Sequence, residues 1–133
     1  MTPVFADTFY WIAVTLPGDA GYPRAQQITD DIVTTDEVLT EYLNFFSGSP
    51  ERPRRQAAAN VEAILNDTTV RVIPQSRQSF LAGLELYGTR PDKGYSLTDC
   101  ISMRTMRQEG LADVLTNDRH FEQEGFNALF RDS

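Results

Sequence analysis

Short apolar runs alternate along this chain with longer stretches of helical spacing, and that alternation restricts the fold more than any other feature. The strand candidates are Val4–Ala6, Ile32–Thr34, Val70–Ile73, Val114–Thr116 and Ala128–Phe130. Each is only three or four residues long and rich in β-branched or apolar side chains. Segments long enough for a crossover helix separate the first four. Strands that recur this way are most simply joined as a parallel sheet with helices on its faces. The expected fold class is therefore α/β, a three-layer α/β/α sandwich around a central parallel sheet. At 133 residues the chain is expected to be one domain, spanning 1–133.

The helices carry their own punctuation. Thr34-Thr35-Asp36-Glu37, followed by Val38, Leu39, Tyr42, Leu43 and Phe46, predicts an amphipathic helix over about 35–47. Thr34 would be its cap, Glu37 the third position of a capping box, and Gly48-Ser49-Pro50 its end. A second helix is expected from about Arg52 to Leu65, with Ala58, Val61 and Leu65 inward, and a third from Ser76 to Tyr87, stopped by Gly88. Ser96 caps a fourth that runs to about Gln108 and stops at Gly110. Pro17 to Gln27, with Gly18, Gly21 and Pro23, reads as an open loop. No repeat, low-complexity stretch, tail or linker is recognisable, so function is expected to sit on the fold itself.

Several kinds of chemistry are excluded. Cys100 is the only cysteine, so no intrachain disulfide can form, and a reducing, cytoplasmic compartment is expected. It has no evident base partner and reads as a buried, inert thiol. His120 is the only histidine, so a histidine-rich zinc site cannot be built; beside Phe121 it reads as a packing or cap residue. Lys93, the only lysine, lies outside any phosphate-loop motif. No run approaches the roughly 18 apolar residues of a membrane span, and the N-terminus has no signal-peptide pattern. The net charge of −7 argues against nucleic acid, unless carboxylates are neutralised by bound cations. The eleven arginines suit bidentate contact with phosphate. Arg52, Arg54 and Arg55 form the only dense basic cluster, a solvated helix start with a smaller claim on RNA.

Nineteen acids are present, and four stand out. Asp7 closes the first strand candidate and precedes the apolar Thr8–Ala13, so its charge would be costly to bury unless paired or metal-bound; a helix N-cap is a compatible second role. Glu41 lies one turn beyond Glu37 without a capping role, among Leu39, Tyr42 and Leu43, and is the better ligand candidate of the two, with an exposed helical glutamate as the alternative. Asp99, three residues after Ser96, reads equally as a capping-box acid favoured by the helix dipole and as a functional group. Asp118 follows the Val114–Thr116 strand candidate, at the strand ends where open α/β sheets bind ligands. Thr116 is placed to hydrogen-bond a neighbouring carboxylate or an ion-bound water. Hard oxygen donors of this kind suit Mg²⁺ or Mn²⁺, and phosphodiester hydrolysis by an ion-activated water fits the inventory best.

These motifs, S-L-T-D-C-I-S at 96–102 and L-T-N-D-R-H-F-E-Q-E-G-F at 115–126, joined to the early strand aspartate and the helical glutamate, resemble the PIN-domain ribonucleases. The closest likeness is to the VapC-type toxins of prokaryotic toxin–antitoxin pairs. It extends over nearly the whole chain. The family's four acidic positions match Asp7, Glu41, Asp99 and Asp118, and its threonine two residues before the last acid matches Thr116. The resemblance implies a Rossmann-like sandwich, Mg²⁺- or Mn²⁺-dependent endoribonuclease activity, a homodimer, and a small antitoxin that blocks the site. In that reading Asp7, Asp99 and Asp118 hold the principal ion, and Glu41 completes the shell or binds a second one. The alternatives are a non-catalytic PIN-like module that binds RNA or protein, and a PIN nuclease that is not a toxin. A phospho-receiver domain is rejected: it needs paired acids after the first strand, and Asp7 stands alone.

Overall fold

The computed structural model describes residues 2–131. Five strands form one wholly parallel sheet: β1 (Val4–Ala6), β2 (Ile32–Thr35), β3 (Val70–Ile73), β4 (Asp113–Leu115) and β5 (Asn127–Ala128), in the order β3-β2-β1-β4-β5. Seven helices among the described residues flank it: α1 (Thr8–Thr15), α2 (Tyr22–Ala25), α3 (Asp36–Phe45), α4 (Glu51–Asn66), α5 (Arg77–Thr89), α6 (Leu97–Glu109) and α7 (Arg119–Gln123). The chain winds outward in one direction from β1 through β2 to β3, then returns to the other side of β1 with β4. β1 and β4 are thus neighbours at the point where the winding reverses, with Phe5 opposite Val114 and Ala6 opposite Leu115. Open α/β sheets open a crevice at such a point, beyond the strand ends. No helix among the described residues is long and apolar enough to cross a membrane.

Burial explains the strand composition. All residues of β1 and β2 are buried, as expected of strands covered on both faces. α1 is apolar around nearly its whole circumference, so it shows little amphipathic period and is buried as a unit. Its Trp11 indole N–H donates to Thr34 Oγ1 (3.3 Å), and that hydroxyl donates to the Ala6 carbonyl (2.9 Å). One buried threonine thereby serves a helix and a strand, and no polar atom of the three is stranded. Tyr42, fully buried on α3, shares its hydroxyl with Thr15 (2.8 Å) and accepts from Asn60 Nδ2 (3.1 Å), which joins α1, α3 and α4.

Several local expectations need correction. The α3 cap is Thr35, whose hydroxyl accepts from Val38 N, so Glu37 is not the third position of a Thr34 box. Thr34 is still within β2, its hydroxyl committed to Ala6 and Trp11, and Glu37 instead accepts from Ser79 Oγ on α5. α3 ends at Phe45, before Gly48. On α4 the inward residues are Ala57, with Val61 and Ile64 partly buried; Ala58 and Leu65 are exposed, one position out of register with the predicted face. The strand candidate at 114–116 starts at Asp113 and ends at Leu115, and the one at 128–130 is Asn127–Ala128. The 17–27 segment contains a helical turn, α2, opened by Pro23 in its first turn. α5 continues through Gly88 to Thr89.

α5 and α6 approach closely because Gly83 has no side chain. A Cβ there would stand 2.4 Å from Ile101 Cγ1 and 3.2 Å from Ile101 N, whereas at Gly88 nothing lies within 4 Å. The same substitution should therefore act oppositely at two positions of one helix. Gly83→Ala is expected to destabilise by about 1–3 kcal/mol through overpacking, and Gly88→Ala to stabilise by up to about 1 kcal/mol through helix propensity. Urea denaturation of the two variants reads both signs; stabilisation by Gly83→Ala would show that the helices are not in van der Waals contact there.

Candidate functional site

Asp7 directly follows β1 and is 6% exposed. It occupies the N-cap position of α1 in extended backbone, but its carboxylate does not cap the helix in the usual way. Oδ2 instead accepts from Thr116 Oγ1, immediately after β4, at 2.9 Å. This bond joins residues 109 apart in sequence across the two central strands. Thr116 Oγ1 also accepts from the Asp118 amide (3.2 Å), so one hydroxyl fixes the first acid and the loop that carries the last.

Asp99 stands in the first turn of α6 as the third residue of a reciprocal capping box. Ser96 Oγ accepts from Asp99 N (3.0 Å), and Asp99 Oδ2 accepts from Ser96 N (3.2 Å). Asp118 is the N-cap of α7, with Oδ1 accepting from His120 N at 2.9 Å. Asp99 thus has the capping role its sequence offered, Asp118 has a capping role that the sequence reading did not assign, and both point into the same region. Glu41, half-buried on α3, accepts from Thr8 Oγ1 at 2.5 Å, which draws it to the start of α1 beside Asp7.

The electrostatics show how close the four acids are. Asp7's carboxyl is pushed up to about 7, first by burial and next by the charge of Asp99, with Glu41 adding to the effect; hydrogen bonds from Thr116 and the Thr8 amide work the other way but do not offset it. Asp99's carboxyl is also raised, again first by burial, with Asp118 and Glu41 contributing against the hydrogen bonds from Ser96. Asp99 is therefore the common neighbour of the other three acids. Asp7, Asp99 and Asp118 sit at the start of α1, α6 and α7, where the partial positive charge of a helix end offsets part of the repulsion. It does not offset enough to return Asp7 to the normal carboxylate range.

Donor chemistry fits a hard divalent cation. Single ligand atoms of Asp99, Asp118 and His120 lie within 4.8 Å of one another. Asp7 and Glu41 are outside that triplet and adjoin it through Asp99. His120, read from sequence as a packing or cap residue, has its imidazole in the cluster: Nδ1 is 3.3 Å from Asp118 Oδ1 and 3.8 Å from Asp99 Oδ2. Its position two residues after a strand-end acid was the one available signal. Cys100 is buried, and its thiol is pushed up to about 11, first by burial and then by Asp99, which suits an inert role.

Behind the cluster, Glu124 holds α7 to the rest of the molecule. It accepts from Arg90 Nε (3.3 Å) and Nη2 (2.9 Å) and from the Tyr95 hydroxyl (2.7 Å). Burial alone would raise its carboxyl, but these hydrogen bonds outweigh that and lower it. The Tyr95 ring meets the His120 imidazole edge to face at 5.3 Å. On the other side a groove of about 790 Å³ opens along Glu41, with Asn44, Gln75, Arg77, Phe80 and Leu97 among its lining. Arg52, Arg54 and Arg55 do not line this groove; Arg55 pairs with Glu51 (3.2 Å), and Arg54 donates to the Ser47 carbonyl (2.7 Å).

Comparison with known proteins agrees with this architecture. The 23S rRNA-specific endonuclease VapC20 of Mycobacterium tuberculosis, curated from two strains, is 27% identical over 127 residues, covering 92% of this chain and 95% of the relative. The crystal structure of VapC20, described as a sarcin-ricin loop cleaving toxin, matches with a TM-score of 0.81 over the same shares of the two chains. The PIN domain model matches residues 4–127, and the chain belongs to the PIN domain family.

Proposed function

We propose that the protein is a metal-dependent endoribonuclease and the toxin of a VapBC-type pair. In this reading Asp7, Asp99 and Asp118 hold the principal Mg²⁺ or Mn²⁺, and Glu41 completes the shell or binds a second ion. The observation that carries the reading is the burial of Asp7 beside Asp99 and Glu41, with its carboxyl raised to about 7. A fold that buries such a group at a strand end beside two other acids retains a charge cluster that a bound cation would stabilise. Bound there, a divalent ion would neutralise phosphate oxygens and lower the pKa of an attacking water. Thr116 holds Asp7 Oδ2 toward the site, Asp99 and Asp118 are fixed by their helix-capping bonds, and Glu41 is anchored by Thr8. The groove beside Glu41 is the proposed seat of an RNA strand, with Phe80 offering a stacking surface and Arg77 a phosphate contact. The names given to VapC20 make 23S ribosomal RNA, and its sarcin-ricin loop, the first substrate to try. A single domain over 1–133, a homodimer, an inhibitory antitoxin and a cytoplasmic location complete the reading.

Cleavage of ribosomal RNA fragments in Mg²⁺ or Mn²⁺ tests the activity. Asp7→Asn and Asp99→Asn should each lower the rate by at least about a hundredfold while circular dichroism shows an intact fold. Undiminished cleavage by a folded Asp7→Asn protein would rule the mechanism out.

The raised carboxyl of Asp7 also fixes a pH dependence for the metal-free protein. An unfolded aspartate ionises near pH 3.9, so between about pH 4 and 7 the folded chain keeps a proton that the unfolded chain has lost. Stability is then full at the acid end of that window and falls as pH rises through it, by roughly 1 kcal/mol per unit from this group. With chelator present, urea denaturation between pH 5 and 8 should show this loss in the wild type and a flatter profile in Asp7→Asn. Saturating Mg²⁺ should restore the wild type at the upper end. Parallel profiles for the two proteins would show that Asp7 is not the strained group.

A further inference from the structure

His120 has no part in the acid-only reading of the site, yet its imidazole is built into it. Nδ1 is buried and makes no hydrogen bond, although it stands only 3.3 Å from Asp118 Oδ1, because its direction does not meet that oxygen. Orphaned buried nitrogen atoms are uncommon and call for a cause. The ring is not loosely placed. Tyr95 packs against it at 5.3 Å, Tyr95 is held by Glu124, and the His120 backbone N–H is bound to Asp118 Oδ1.

The spacing around Nδ1 identifies the missing partner. It lies 3.3 Å and 3.8 Å from oxygens of Asp118 and Asp99. Ligands of one divalent ion, each at about 2.1 Å, stand about 3 to 4.2 Å apart. A cation placed between the three groups would meet both observations, with Nδ1 as one of its ligands.

We propose that His120 Nδ1 is a nitrogen ligand of the ion held by Asp99 and Asp118, which makes this a mixed oxygen–nitrogen position that takes Mn²⁺ in preference to Mg²⁺. The proposal rests on the acidic metal site proposed above and adds a donor to it. Imidazole is a ligand for transition ions, whereas Mg²⁺ is served by carboxylate, carbonyl and water. His120 would then join Asp7, Asp99 and Asp118 around the principal ion, with Glu41 completing the shell or serving a second one.

His120 is the only histidine in the sequence, so a histidine signal from protein without a histidine tag has one source. Pulsed electron paramagnetic resonance of the Mn²⁺-loaded wild type should show modulation from one histidine ¹⁴N, replaced by a ¹⁵N pattern when histidine is labelled. The signal should be absent in His120→Gln, whose Mn²⁺ affinity should fall about ten- to a hundredfold by calorimetry while its Mg²⁺ affinity changes less. Saturable Mn²⁺ binding that is abolished by Asp99→Asn but shows no histidine coupling in the wild type would overturn the histidine ligand and leave the acidic site standing. Absence of saturable Mn²⁺ binding to the wild type, or binding indifferent to Asp99→Asn, would overturn the acidic site and the histidine ligand with it. The wild-type spectrum decides the question even where His120→Gln folds poorly.

Discussion

The hydrogen bond from Thr116 to Asp7 is the contact around which the rest of this molecule is arranged. It joins the ends of the two central strands, at the point where the sheet reverses its winding, through a carboxylate almost wholly removed from water. Burying a lone carboxylate is costly, and neighbouring carboxylates make it worse. A purely structural link at this position would be better served by an apolar pair. The fold instead buries Asp7 and places two further acids, Asp99 and Glu41, beside it, and burial first, then their charges, push its carboxyl up to about 7. The remaining architecture serves to hold like charges together: capping bonds fix Asp99 and Asp118, Thr8 fixes Glu41, and three helices begin at the cluster.

Topology makes this economical. β1 and β4 are distant in sequence and adjacent in the sheet, so residues that follow them meet with no long loop reaching across. α6 runs directly into β4 through the Gly110 turn (φ +70°), which sets the start of α6, and therefore Asp99, at the same edge as the end of β4. The close approach of α5 to α6 at Gly83 and the Glu124 clamp on α7 act at a distance from the acids but fix the helices that carry them. A groove of about 790 Å³ opens beside Glu41. These relations place a PIN domain's acids on rigid elements, as a site that must hold its ligands to within fractions of an ångström requires.

Much of this was legible in the sequence, and the parts that were not share a physical reason. The parallel sheet followed from short apolar runs separated by helix-length segments, because burial on both faces leaves strands little choice of composition. The Ser96 cap, the Gly110 stop and the likeness to PIN domains are local patterns that survive folding intact. The α3 cap was misplaced by one residue because Thr34 and Thr35 are equivalent as sequence; only Trp11 and Ala6, both distant, claim the Thr34 hydroxyl. The inward face of α4 was misread because its alanines and its Ile64-Leu65 pair allow two neighbouring registers. α1 was foreshadowed only by the N-cap role open to Asp7 and was not delimited, because a helix that is apolar nearly all round has no amphipathic period. The hydrogen bond that Thr116 makes with a neighbouring carboxylate was an available reading, whereas the place of His120 in the cluster had only its position two residues after a strand-end acid to signal it, which packing or capping explains as well.

The central claim is that these acids form a cation site at the strand ends, and anomalous diffraction from crystals soaked in Mn²⁺ tests it most directly. The account predicts an anomalous peak at the C-terminal edge of β1 and β4, within about 2.3 Å of carboxylate oxygens of Asp99 and at least one of Asp7 and Asp118. Crystals saturated with Mn²⁺ that show no peak there, with Asp7 bonded only to Thr116, would contradict it.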